Sequence, residues 1–151
     1  MRHRSRTFER AAKLQRGVAA VEFALVLPLL IVILFGIIDF GLMLYDKAMI
    51  TNAAREGARA GIVLRNPRLT KAEIESVATN YCRAMLIRLA GSGECAATAT
   101  LPAPVAFSEP LQVTVNYQYD GPILSLIALL PGASSLVGPL NLGSTAVMKY
   151  E

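Results

Sequence analysis

The sequence is poor in the side chains that carry most enzyme chemistry. It has one histidine, His3, and two cysteines, Cys82 and Cys95. A histidine-assisted nucleophile has only that one base to draw on, and it sits among arginines at the N-terminus. No G-x-S-x-G, P-loop, G-x-G-x-x-G or H-E-x-x-H pattern occurs. The two cysteines have no histidines to complete a zinc set, so no metal site is expected. Glu73 and Glu75 are neighbouring carboxylates, but two residues apart on a helix they point to different sides. No catalytic group and no cofactor is therefore expected.

Charge is scarce as well: 17% of the residues are charged, against 54% hydrophobic. The net charge of +4 is unevenly placed. Residues 1–17 hold six Arg or Lys against Glu9 alone, whereas residues 18–151 hold nine basic against ten acidic side chains. The folded part is thus slightly acidic, which argues against a nucleic-acid surface. The basic tail directly precedes an apolar run, where positive charge sets membrane topology.

That run, Val18 to Ile38, is 21 residues long with Glu22 as its one charge. About 20 apolar residues span a bilayer as a helix. A secretory signal has a shorter apolar core, closed by a small-residue cleavage site. The sequence therefore predicts one membrane helix over residues 18–45, with Pro28 and Gly36 inside it. The preceding arginines place residues 1–17 in the cytoplasm and residues 46–151 outside.

The helix is expected to continue to about Leu64. Ile50, Ala53, Ala54, Gly57 and Gly61 fall near one face, small enough for another helix to approach closely. Asn52, Arg55, Glu56 and Arg59 fall elsewhere, as a contact surface for partner helices or as a plain solvated face. Thr70-Lys71-Ala72-Glu73 matches a capping box and starts a second helix, with Gly91 as its expected end. Leu111 to Tyr119 alternates apolar and polar residues like a half-buried strand, and Leu142 to Tyr150 repeats the pattern. The two are expected to pair as an antiparallel ribbon, with a further short strand at Ala97–Leu101. Ile123–Leu130 is apolar and of undecided structure. The predicted class is α+β. On the external side the two cysteines either form a disulfide or stay as separate buried thiols.

The segment Gln15-Arg16-Gly17-Val18-Ala19-Ala20-Val21-Glu22-Phe23 combines a basic leader, a glycine and an apolar run with a carboxylate five residues after the glycine. It resembles the type IV prepilin cleavage signal, the tight-adherence (Flp) variety in particular. From Arg16 to Gly61, including ITNAAREGARAG, the chain is similar to TadE-like proteins, minor pseudopilins of the Flp pilus. The resemblance implies cutting of Gly17–Val18 by a membrane-embedded prepilin peptidase, with Glu22 as the processing and assembly carboxylate. The family often has tyrosine after that glutamate; Phe23 keeps the ring and loses the hydroxyl. A new amine on Val18 would favour Glu22 one turn away, on its own chain or a neighbour's, because negative charge suits a helix N-terminus. Simple solvation of Glu22 at headgroup depth is the other reading.

The resemblance further implies the partners: the prepilin peptidase, other pilin and pseudopilin subunits, the inner-membrane assembly platform and the lipid bilayer. The expected location is the bacterial inner membrane, single pass, with the C-terminal domain periplasmic and, after assembly, in an extracellular pilus. The alternative is an uncleaved, signal-anchored scaffold or adhesin subunit of the same topology.

Overall fold

The computed structural model describes residues 4–87, 93–103, 106–121, 138 and 140–150, with only the backbone of residues 4–17. Helix α1 runs Arg4–Ile62, α2 runs Lys71–Met85, and three strands follow: β1 Cys95–Thr100, β2 Pro110–Tyr119 and β3 Leu140–Lys149. The layout is α+β, a long apolar helix, a second helix and a small antiparallel sheet. The chain divides into two compact units, Met1–Ile38 and Asp39–Glu151.

The first unit is helical from Arg4 onward. The helix thus begins fourteen residues ahead of the expected Val18. Residues 8–15 are mostly good helix formers and contain no glycine or proline, so nothing there stops it. The helix passes through Pro28. Its apolar side chains are exposed almost all round, from Val18 at 58% to Ile38 at 47%. A helix that is apolar on every side and covered by none of its own unit is long and apolar enough to cross a membrane.

In the second unit α1 becomes one-sided. Ile50, Ala53, Ala54 and Ala58 are wholly buried, while Arg55, Glu56 and Arg59 are exposed. The small face receives the unit's own second helix and its central strand. A Cβ on Gly57 would lie 2.9 Å from the Ala78 Cβ and 3.3 Å from a Val113 methyl. One on Gly61 would lie 2.8 Å from Ile74 Cδ1 and would also strike Leu111. Glycine at these two points lets three backbones share one narrow layer.

Helix α2 starts with the anticipated capping box. The Thr70 hydroxyl accepts from the Glu73 N–H, and the Glu73 carboxylate accepts from the Thr70 N–H at 2.7 Å. That backbone bond, with the Thr70 hydroxyl, holds the Glu73 carboxyl below its ordinary range. The helix does not reach Gly91. It ends at Met85, with Leu86 already extended and the Ile87 N–H donated to the Asp46 carboxylate instead of a helical carbonyl.

The sheet order is β1-β2-β3, all antiparallel. Central β2 turns Leu111, Val113, Val115, Tyr117 and Tyr119 into the core, as its alternation anticipates. The short strand expected at Ala97–Leu101 is present as β1, Cys95–Thr100, and it joins β2 with Ala99 opposite Val113, so the expected ribbon is a three-stranded sheet. Cys-Ala-Ala-Thr-Ala-Thr lacks the bulky residues that announce a strand, and packing supplies what propensity does not. Both outer edges meet a charged side chain. Glu75 Oε1 accepts the outward Ala99 N–H at 2.9 Å, and Lys47 Nζ donates to the Gly143 carbonyl of β3. Ile123–Leu130 lies outside the described residues.

Gly61→Val is expected to destabilise the folded unit by about 1–3 kcal/mol, since overpacking forces neighbours off their rotamers. Thr70→Ala is expected to cost about 1 kcal/mol through the lost cap. Thermal melts followed by circular dichroism in detergent check both.

Candidate functional site

Of the residues singled out from sequence, one group lies on α1 near its apolar start. Gly17 and Val18 are helical. Glu22 and Phe23 are exposed, Phe23 at 62%. Glu22 makes no hydrogen bond or ion pair among the described residues. The second group lies further along the same helix: Arg55, Glu56 and Arg59 exposed, Asn52 half-buried. They stand apart from the small face, which α2 and β2 occupy, so the polar face is the one left open on this stretch of α1.

Cys82 and Cys95 are joined as a disulfide, and both are buried. The bridge ties the last turn of α2 to the first residue of β1 across 13 residues. Closing a loop of that size is worth about 3 kcal/mol on chain-entropy grounds.

A further cluster was not singled out from sequence. The Tyr119 hydroxyl donates to Asp39 Oδ1 at 2.6 Å and also meets the Asp39 carbonyl at 3.1 Å. Gly121 packs directly against the same carboxylate, where a Cβ would lie 2.7 Å from Oδ2. Burial first, then the Asp39 bond, pushes the Tyr119 hydroxyl well above its ordinary range. Six residues further along α1, the Tyr45 hydroxyl donates to the Met85 carbonyl at 3.2 Å. Asp46 is fully buried; Oδ1 accepts the Ile87 N–H at 3.3 Å and Oδ2 has no partner. Helix α1 thus supplies an acceptor and a donor to the terminus of α2, and an anchor for the end of β2. The available sequence signal was Asp39 and Asp46, seven residues apart and so on one face, flanking an apolar stretch. Their partners lie more than 35 residues away in the chain, which no local pattern encodes.

No group of three or more His, Cys, Asp or Glu capable of holding a metal occurs among the described residues. The arrangement offers contacts, an exposed carboxylate and an exposed apolar helix. Residues 17–59 match the family model described as TadE-like protein. Over that segment the chain is similar to TadE-like proteins. The matched segment opens at Gly17, contains Glu22 and the Asn52–Arg59 face, and ends before α2 and the sheet. A TadE-like segment suggests a Tad pilus-associated protein. No curated protein and no solved structure matches the chain.

Desolvation raises the Asp46 pKa, with the Ile87 N–H opposing it. A carboxyl with a raised folded pKa keeps a proton that the unfolded chain gives up. Its contribution to stability is full below the ordinary aspartate range and is lost as pH rises through the folded value. Asp46→Asn should therefore flatten the fall in stability between acidic and neutral pH. Denaturant titrations of both proteins at several pH values measure this.

Proposed function

We propose that this chain is a minor pseudopilin that takes part in assembling a type IVb (Flp/Tad) pilus. The observation that carries the reading is the matched segment itself. It opens on Gly17, places a carboxylate five residues later, and continues as a helix whose apolar side chains its own unit leaves exposed. The chain is anchored in the inner membrane by Val18–Tyr45, with residues 1–17 cytoplasmic and residues 46–151 periplasmic. A prepilin peptidase removes the leader between Gly17 and Val18.

The helix through Gly17 bears on that step. A protease needs extended backbone, so the substrate must unwind locally. Glycine costs a helix about 1 kcal/mol relative to alanine, so it marks the place where unwinding is cheapest. Cleavage leaves a cationic amine on Val18, one turn from Glu22. Glu22 has no partner within its own chain among the described residues, and in lipid an unpaired carboxylate is costly. Pairing with an amine of its own or a neighbouring subunit offsets that cost and sets the axial register of the packed stalks. The exposed Arg55, Glu56 and Arg59, with Asn52, then present a polar contact face to neighbouring subunits or to the assembly platform.

N-terminal sequencing and intact mass of the protein from native membranes, with and without the prepilin peptidase, test the processing. A start at Val18 that depends on the peptidase is expected. A chain that keeps its leader in both samples would sink the proposal and leave an uncleaved scaffold. Glu22→Gln should leave membrane insertion intact and impair pilus assembly, scored by electron microscopy of surface fibres. Normal fibres from that variant would rule out the register role.

A further inference from the structure

The outward face of the sheet carries side chains that the fold itself does not use. The three strands hold one charged residue, Lys149, at the end of β3. Central β2 turns Asn116 and Gln118 away from the core, and both are exposed. Asn116 stands between Ala96 of β1 and Gly143 of β3, its cross-strand partners. A Cβ on Gly143 would lie 2.9 Å from Asn116 Oδ1, so glycine leaves that amide clear. Gln118 lies directly opposite Asn141. Around these two rows is an open groove of about 450 Å³, lined by Glu94, Ala96, Asn116, Tyr117, Gln118 and Asn141. That volume falls within the usual range of small-ligand sites. The side chains of Glu94, Asn116, Gln118 and Asn141 make no hydrogen bond or ion pair among the described residues. Three amides and one carboxylate therefore face a single groove unpartnered.

The chemistry of this lining selects its ligand. No cation lines the groove, so a phosphate or an anionic headgroup meets no counter-charge. One carboxylate is too little charge for a divalent cation. The apolar lining is Ala96 with a nearly buried Tyr117, too little for a greasy molecule. Strand β2 is paired on both sides, so an arriving peptide finds no free strand edge there. The amides remain. Each offers a donor and an acceptor side by side. Two neighbouring hydroxyls of a sugar ring present the same pair in reverse: one accepts from the amide NH2, and the other donates to its carbonyl. We infer that this groove binds a neutral saccharide through Asn116, Gln118 and Asn141, with Glu94 as a further acceptor. The site lies wholly within the C-terminal unit and does not depend on the pseudopilin reading.

The side-chain NH2 groups of Asn116, Gln118 and Asn141 report on the groove directly by nitrogen–proton NMR. The full, nitrogen-labelled chain is held in dodecylphosphocholine micelles, whose headgroup carries no sugar. It is titrated with maltose, lactose, cellobiose and chitobiose. At least one of these should shift all three amide signals and saturate. Asn116→Leu and Gln118→Leu lie on the exposed face, clear of the core. Each should weaken that binding about ten-fold, the loss of one or two neutral hydrogen bonds. Gln112→Ala, on the same face of β2 but outside the groove, should leave binding unchanged. Circular dichroism of each variant checks that the sheet is intact. No shift at the three amides with any of the four sugars would overturn the inference, as would equal weakening by Gln112→Ala. A response to acetyl-tetraglycine amide, with none to the sugars, would assign the groove to peptide and overturn it as well.

Discussion

The contact at Gly57 and Gly61 is the constraint on which the C-terminal unit is built. There the backbone of α1 comes close enough to Ile74, Ala78, Leu111 and Val113 that no side chain fits between. One stretch of helix thereby touches both α2 and the central strand. Ile50, Ala53, Ala54 and Ala58 extend the same face, so the core is organised around α1 and not around the sheet alone. The same helix, some twenty residues earlier, is apolar on all sides. One continuous backbone element thus changes character along its length, and the change from all-round to one-sided apolarity falls near Asp39.

The polar groups near that change act as fasteners. Asp39 holds the end of β2 through Tyr119, while Tyr45 and Asp46 bind the last turn of α2. The disulfide secures the other side of that turn, from α2 to β1. The end of α2 is therefore fixed from two directions, which accounts for its early stop at Met85. Asp46 is the costly member, a buried carboxyl with one oxygen unpaired. Its value lies in terminating a helix against a neighbour where no glycine cap operates.

Much of this was legible in the sequence because it is local. The apolar run, the Thr70–Glu73 box and the alternation from Leu111 to Tyr119 each follow from a repeat length or a fixed spacing, and each appears where the pattern puts it. The small face of α1 was legible as a place of close approach, though not that α2 of the same chain fills it. The early end of α2 was not foreseen, and the short strand expected at Ala97–Leu101 was placed two residues late at its start, with its pairing to β2 unread. Gly91 advertised a cap that Asp46, 41 residues upstream of its Ile87 contact, makes unnecessary. Cys95–Thr100 is a strand by pairing, not by composition. The site divides in the same way. Gly17, Val18, Glu22 and Phe23 are neighbours in sequence and could be read as a unit, whereas Asp39 and Tyr119 meet across 80 residues.

The two sheet edges bear on how copies of this chain can add to one another. Glu75 occupies an outward N–H on β1, and Lys47 occupies an outward carbonyl on β3. Edge strands are the usual template for unplanned growth, and charge on them is a common remedy. A strand arriving at either edge must displace a main-chain bond to a charged side chain before those positions can pair with it. Growth by sheet extension therefore begins uphill on both sides. On the proposed pseudopilin reading, sheet pairing between copies is disfavoured at both edges and assembly is left to the helices.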